Sequence, residues 1–386
     1  MAKYSKLGNL FYVSLSLTFI LVCTACEKTS GTTTPVNKND ALDTVSSEKM
    51  PDIAPYTLQV MEHEPILSYG EESFQNTSAL IELNEDSYSS VILVLTLHTT
   101  CFPFEQWNQD PPPVGHRFPP SCDAFDRNFE LHLIDQRQLD MGEDVQDAEL
   151  EVLRAITPFG GPAEHQIDIT DIANISSGTL RARVHIPTYS DPEGQISGSR
   201  GGWEVSLKVE VTPGKKPRPI IGVYSLFNRT VSYESEDPRI QFIIPEGIQS
   251  SRLEYRATGH GGGMDTSPAC IGPAEEFCRR TQTILIDGIE VDQITPWRDD
   301  CDDQCTLVTH DNVRNSFEYC LENPTGSIQS VRAPRANWCP GSHTPPFTWE
   351  MDVLNDAGPH TFEVKLLDLH PQGRWRTSAI LYLYGP

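Results

Sequence analysis

Short segments in which apolar and polar residues alternate recur along most of the chain. Ser90 to His98, Asn128 to Ile134, Leu180 to Ile186 and Trp203 to Val211 carry the pattern in the first half, rich in β-branched and aromatic side chains. Ile220 to Phe227, Ile240 to Ile244, Arg252 to Ala257, Thr283 to Val291, Thr361 to Leu369 and Ser378 to Tyr384 continue it in the second. A period of two puts successive side chains on opposite faces of an extended chain, so each segment is predicted as a β-strand with one buried face. Asp287-Gly288, between Thr283-Ile-Leu-Ile286 and Ile289-Glu-Val291, reads as a hairpin turn, because both residue types accept positive φ. Helical spacing occurs once, over Asp147 to Ile156, where Leu150, Val152, Leu153 and Ile156 fit either one helix face or another strand.

The N-terminus follows different rules. Lys3 and Lys6 precede an apolar run from Leu10 to Cys23 and then the small residues Thr24 and Ala25, the layout of a signal peptide over residues 1–25. The run is shorter than the about 20 residues a membrane span needs. Val22-Cys23-Thr24-Ala25-Cys26 has the form of a bacterial lipobox with Cys26 as the lipidated residue, although Cys23 stands where such motifs place leucine; a plain cleaved signal followed by a free thiol is the alternative. Residues 26–55, polar from Thr29 to Met50, read as a flexible tether. The chain is expected to be exported and held on a membrane as a lipoprotein, in a bacterial periplasm or on a cell surface.

Beyond the tether, about 330 residues exceed what one hydrophobic core serves, so two domains are expected. The seam is placed at Thr212-Pro-Gly-Lys-Lys-Pro-Arg-Pro219, giving domains at 56–213 and 219–386. With strands predominating in both halves, two β-sandwiches in tandem is the economical architecture.

Of ten cysteines, eight follow the tether: Cys101, Cys122, Cys270, Cys278, Cys301, Cys305, Cys320 and Cys339. An even number in an exported chain implies disulfides. Zinc is the rival reading, through Cys301-Asp-Asp-Gln-Cys305, but no second pair of matching spacing follows it, and no metal or other cofactor is expected. A formal charge of −25 opposes nucleic acid and anionic lipid as partners.

Several catalytic devices are missing. There is no Gly-x-Ser-x-Gly elbow, no His-Glu-x-x-His, and no pair of histidines spaced for a copper site. His260-Gly-Gly-Gly263 has the form of an esterase oxyanion loop, but without a nucleophile elbow it reads as a glycine-rich turn. The acidic run Asp299, Asp300, Asp302, Asp303 offers oxygen ligands without a calcium-loop pattern and reads as solvated charge. What remains is a clustering of carboxylates, arginines and aromatics beside the cysteines: Cys122-Asp-Ala-Phe-Asp-Arg127, Ala274-Glu-Glu-Phe-Cys278 and Arg335-Ala-Asn-Trp-Cys339.

These clusters, with Ile156-Thr-Pro-Phe159, Ile167-Asp-Ile-Thr-Asp171, Glu276-Phe-Cys-Arg279, Cys339-Pro-Gly341 and Asp352-Val-Leu-Asn355, follow one another as in the peptide-N-glycosidase F amidases, which the chain resembles from about residue 60 onward. The resemblance implies an all-β fold of two tandem eight-stranded antiparallel jelly-roll β-sandwich domains. It implies hydrolysis of the amide between asparagine and the first N-acetylglucosamine of an N-linked glycan, on glycopeptides or glycoproteins, by a monomeric peptide-N-glycosidase. Asp126 matches the principal catalytic aspartate and Glu276 its partner from the second domain. Phe125, Arg127, Arg335 and Trp338 match residues that line the substrate site, and Gly259 and His260 fall on its glycine-rich turn. His185, a further catalytic candidate, stands where the family has an accessory glutamate, Pro187 and His260 where it has tryptophans, and the stretch between Cys101 and Cys122 is longer than the family's. The pattern further implies the pairs Cys101–Cys122, Cys270–Cys278 and Cys301–Cys339, leaving Cys305 with Cys320. A non-catalytic glycan-binding or adhesion lipoprotein of the same fold is the alternative function.

Overall fold

Alternation becomes strand along both halves of the computed structural model, which describes residues 54–68, 70, 73–140, 149–188, 201–311, 316–351 and 356–386. The signal segment, Cys26, most of the tether and the Asp352–Asn355 motif lie outside the described residues. In the first half the strands are β1 (Tyr56–Leu67), β2 (Asn76–Glu82), β3 (Tyr88–Thr99), β4 (Asn128–Asp135), β5 (Leu150–Ile156), β6 (Ala163–Asp168), β7 (Thr179–His185) and β8 (Gly202–Pro213). They form two four-stranded antiparallel sheets ordered β1-β8-β3-β6 and β2-β7-β4-β5. Apart from β4 and β5, sheet neighbours are not consecutive in sequence, as expected when the chain crosses repeatedly from one sheet to the other in a jelly roll.

The second half repeats the scheme. Its strands are β9 (Ile220–Ser232), β10 (Arg239–Ile244), β11 (Ser250–Gly261), β12 (Gly263–Met264), β13 (Pro273–Ala274), β14 (Gln282–Ile286), β15 (Ile289–Ile294), β16 (Leu307–Asp311), β17 (Ser316–Cys320), β18 (Phe347–Glu350), β19 (Gly358–Leu366) and β20 (Gly373–Tyr384). Sheets β10-β19-β14-β15 and β18-β11-β20-β9 make the sandwich, while β12-β13 and β16-β17 are small hairpins on it. The fold is thus two eight-stranded antiparallel jelly-roll sandwiches. The β14–β15 turn has Asp287 at φ 53° and Gly288 at φ 78°, the conformation expected of Asp-Gly.

Inward-facing residues fill the first sandwich: Val91, Leu93, Leu95 and Leu97 of β3 lie against Val205, Leu207 and Val209 of β8 and Leu131 and Leu133 of β4. Strand β20 is buried on both faces. Trp375, Ala379, Leu381 and Leu383 enter the second core, whereas Ile380, Tyr382 and Tyr384 join the first. One strand therefore serves two cores.

Segment 147–156, which fits either helix or strand by spacing, is strand from Leu150. The ambiguity has a physical cause: β5 is buried on both sides, so Glu151 and Arg154 are buried along with the apolar residues and pair with each other at 2.6 Å. Among the described residues helix is confined to short turns, α1 (Gln136–Asp140), α2 (Thr170–Ala173) and α3 (Ile328–Arg332), with 3₁₀ turns at Phe104–Asn108 and Asp300–Gln304. Strands β1, β2, β6 and β18 and the small hairpin strands β12, β13, β16 and β17 were not legible in the pattern; β1 has two register shifts against β8, which break its alternation.

Candidate active site

The residues that pattern and resemblance single out converge where loops of the two sandwiches meet. The first loop enters β4. Cys122 is tied to Cys101, and the backbone from Phe125 to Arg127 is clamped by Thr157: its hydroxyl donates to Phe125 O (2.9 Å) and accepts from Arg127 N (2.8 Å), and its own N–H donates to Arg127 O (2.8 Å). Asp123, fully buried, receives Arg127 Nε and Nη2 at 3.2 Å each, and the Arg127 guanidinium lies 4.8 Å from the Phe125 ring centre. Asp123 was not anticipated; its signal is the i,i+4 spacing to Arg127. These bonds leave Asp126 half-buried at the tip.

The second loop runs from β13 to Cys278, closed by the Cys270–Cys278 disulfide. Its two adjacent glutamates have opposite fates. Glu275 is fully buried and accepts from Arg280 Nε (2.7 Å) and Nη2 (2.8 Å), Trp375 Nε1 (3.1 Å) and His370 N (2.8 Å), so its role is structural. Glu276 is 22% exposed and receives Arg335 Nε at 3.2 Å.

Arg335 is held from all sides. Its Nη1 donates to Ala333 O (2.8 Å), Nη2 donates to Ser330 O, and its guanidinium lies 5.2 Å from the Phe277 ring and 4.7 Å from that of Trp338. A cation fixed in this way sets the field around the carboxylates without reorganising. Burial raises the Asp126 pKa to about 7, assisted by the negative charge of Glu276 and opposed by Arg335 and Arg127. Burial also raises that of Glu276, against the pull of Arg335. The structure thus brings Asp126, Glu276 and Arg335 into one electrostatic unit, with a carboxyl group that exchanges its proton near neutral pH.

The other candidates are placed differently. Trp338 is 2% exposed, stacked on His260 (5.5 Å, 25°) under Arg335, and its Nε1 donates to Gly259 O (2.8 Å), so it packs the wall of the site. His260 bonds to Thr258 Oγ1 (2.9 Å), and burial, with Arg154 and Arg374, lowers its pKa to about 3; it stays neutral. Gly259 is an close-packing position: an added Cβ would meet Ala336 Cβ at 2.7 Å, Glu275 O at 2.8 Å and the Trp375 ring at 3.0 Å. Gly259→Ala is therefore expected to cost roughly 1–3 kcal/mol in urea unfolding, through the backbone that carries Glu275.

His185 bonds through Nδ1 to Asn76 Oδ1 (2.9 Å) and Gln75 O (3.1 Å) and has no hydrogen bond to Asp126 or Glu276. Burial lowers its pKa, and His185 is a neutral strand histidine.

The long Cys101–Cys122 stretch packs against the second sandwich. Phe104 meets Tyr319 (5.6 Å) and Phe317 (6.2 Å) of β17 and His310 (5.2 Å) of β16, and Trp107 Nε1 donates to Cys101 O (2.8 Å). A pocket of roughly 460 Å³ beside it is lined by Arg117, Phe118, Phe125, Phe159, Asn323 and Gly326. An aromatic wall therefore extends outward from Phe125.

All four disulfides are formed, Cys101–Cys122, Cys270–Cys278, Cys301–Cys339 and Cys305–Cys320. Cys301 and Cys305 are thus in separate bridges, which removes them as a zinc pair, and the bridges fit an exported protein. In the acidic run, Asp300 is held by Arg298 (2.7 Å), Asp299 by Arg279 (3.2 Å) and Asp302 by Arg332 (3.2 Å). Because Cys122, Cys278 and Cys339 lie within four residues of Asp126, Glu276 and Arg335, titration with reductant is expected to abolish site function before the near-ultraviolet circular dichroism of the sandwiches is lost.

The family described as Peptide-N-glycosidase F, C terminal, matches residues 228–383. Among solved structures, PNGase F, a glycosylasparaginase from Flavobacterium meningosepticum, superposes with a TM-score of 0.64 at 15% identity, covering 86% of this chain and 96% of its own. PNGF-II superposes with a TM-score of 0.63 at 20% identity, covering 86% of this chain; the chain spans 66% of that protein's length. A peptide-N(4)-(N-acetyl-β-D-glucosaminyl)asparagine amidase gives 0.60 at 16% identity, with 86% and 96% covered. No curated protein matches the chain by sequence. Residues 228–383 thus match the C-terminal domain of the peptide-N-glycosidase F family, and the fold of the chain is similar to that of these structures.

Proposed function

We propose that the protein is an amidohydrolase that cleaves the bond between an asparagine side chain and the first N-acetylglucosamine of N-linked glycans. The observation that carries this reading is the Asp126–Glu276–Arg335 unit, in which burial and the charge of Glu276, opposed by Arg335, raise the Asp126 pKa to about 7. An amide is resonance-stabilised, and its hydrolysis needs a positioned water, a stabilised oxyanion and a proton for the leaving amine. Ionised Asp126 takes a proton from the attacking water. The water's oxygen bonds to the amide carbon, the carbon–nitrogen bond breaks, and the proton leaves with the nitrogen; the products are aspartate and a glycosylamine. Glu276, fixed by Arg335, orients the water or a sugar hydroxyl, and Arg335 and Arg127 steady the negative charge. Phe125 and the aromatic wall of Phe104, Trp107 and Phe118 offer surface for sugar or peptide where Pro187 and His260 replace family tryptophans. The protein acts as an exported monomer on N-linked glycopeptides or glycoproteins, tethered to a membrane through Cys26.

A non-catalytic glycan-binding lipoprotein is the second reading, favoured by the neutral, strand-bound His185 in place of an accessory glutamate. A glycan array and a release assay on a denatured glycoprotein separate the two. The amidase frees oligosaccharide and retains none, whereas stable retention of the glycan with no release sinks the enzymatic reading.

A further inference from the structure

Beside the segment joining the sandwiches lies a cavity of roughly 380 Å³, away from the residues assigned to amide hydrolysis. Asp168 and Asp171 of the first sandwich line it, with Arg218 of the connecting segment and Arg252, Arg256 and His343 of the second. Arg256, on β11, is 4% exposed. Its Nη2 makes only long bonds, to Val152 O (3.3 Å) and Glu254 Oε2 (3.4 Å), and its Nε and Nη1 have no acceptor among the described residues. Arg252 Nε, on the same strand face, also has none, nor does His343 Nε2 have a partner.

Net charge does not make this an anion site, since the three arginines are matched by Asp168, Asp171 and Glu254. Direction does. Asp171 already accepts from Arg218 (2.6 Å), Tyr384 Oη (2.8 Å) and Arg252 (3.5 Å). Glu254 is shared between Arg252 and Arg256 at 3.4 Å each, and Asp168 accepts from Thr170 N at 2.8 Å. Asp171 and Glu254 are committed and Asp168 is exposed to solvent, while the unsatisfied groups include three arginine nitrogens. A buried guanidinium with unmet N–H groups costs several kcal/mol, and the partners that relieve it best are oxygen anions, which accept charge-assisted hydrogen bonds. Burial lowers the His343 pKa to about 4, so at neutral pH its ring is uncharged and can supply one N–H.

We propose that this cavity binds a tetrahedral oxyanion, phosphate or sulfate, held by Arg256, Arg252 and His343. The inference is independent of the amidase reading. Its test titrates the intact protein with inorganic phosphate in chloride buffer at constant ionic strength, followed by calorimetry and phosphorus NMR relaxation. Saturable binding at a single site is expected, displaced by sulfate and not by chloride, and weakened by at least about tenfold in Arg256→Gln while Arg256→Lys retains part of it. Glycan release should be unchanged in Arg256→Gln. Should Arg256→Gln fail to fold, the His343 ring nitrogen resonances of the wild type become the readout, shifting with phosphate and not with chloride. Absence of saturable binding, wild-type affinity in Arg256→Gln, or unmoved His343 resonances would overturn the proposal and leave water as the occupant.

Discussion

Replacing Asp126 with asparagine is expected to lower glycan release on the order of 10³-fold or more while leaving a protein that folds and, above neutral pH, is more stable than wild type. The loss follows from removing the group that accepts the proton. The stability gain follows from the raised pKa, about 7 in the folded protein against an ordinary value of 3.8. Between those two values the folded state binds a proton that the unfolded state has released, so wild-type stability is full below about pH 4 and falls as pH rises toward 7. Asparagine cannot ionise, and the variant escapes that decline. Urea unfolding should therefore show little difference between wild type and variant at about pH 4, and a gain of roughly 1–2 kcal/mol for the variant at about pH 8. The rate carries the opposite slope. Wild-type kcat/KM should climb with pH through about 7 and then level, because ionised Asp126 is the active form. A profile that falls through that range would make Asp126 an acid rather than a base.

Arg376→Met is expected to destabilise the fold by about 3–5 kcal/mol, the largest stability effect foreseen. Arg376, on β20 of the second sandwich, donates Nε and Nη2 to Glu130 of β4 at 2.8 and 2.9 Å. Glu130 is buried and also bonded to His132 Nε2 (3.1 Å), and the Arg376 carbonyl accepts from Arg154 Nη1 at 2.5 Å. Burial alone would raise the Glu130 pKa; Arg376, through charge and hydrogen bonds, holds it well below the usual value instead. Removing Arg376 leaves a buried carboxylate without its main counter-charge at the junction of the two sandwiches. The double variant Glu130→Gln/Arg376→Met should recover part of the loss, with a coupling of about 1–3 kcal/mol by urea unfolding; no coupling would mean that the pair is not what joins the sandwiches. Because the folded Glu130 pKa is depressed, the wild-type pair contributes stability above the ordinary glutamate value of 4.5 and loses it as pH falls through the lowered one. Acid should thus destabilise wild type more than Arg376→Met.

Much of this was legible in the sequence. Strands with one face in a core, such as β3 and β8, announce themselves by alternation, and Asp-Gly marks its hairpin. Strands buried on both faces do not alternate, which is why β5 is ambiguous and why the charged pair Glu151–Arg154 inside it gives no sign of lying at the seam. Asp126, Glu276 and Arg335 were found because each stands next to a cysteine in a recognisable order. Thr157, which clamps the loop carrying Asp126, and Glu130, which pairs with Arg376, depend on contacts between distant segments that spacing cannot report. Exposure was the other hidden quantity. Trp338 and His260 suggest binding surface by residue type, yet packing has turned the tryptophan into a wall and the histidine into its neutral neighbour.

The most direct test of the account is to treat a glycopeptide with the purified protein in water enriched in heavy oxygen and to sequence the product by mass spectrometry. Amide hydrolysis by Asp126 and Glu276 predicts that the formerly glycosylated asparagine becomes aspartate carrying one heavy oxygen, with the whole glycan released. Recovery of intact asparagine, of asparagine still bearing one N-acetylglucosamine, or of unchanged glycopeptide would contradict it.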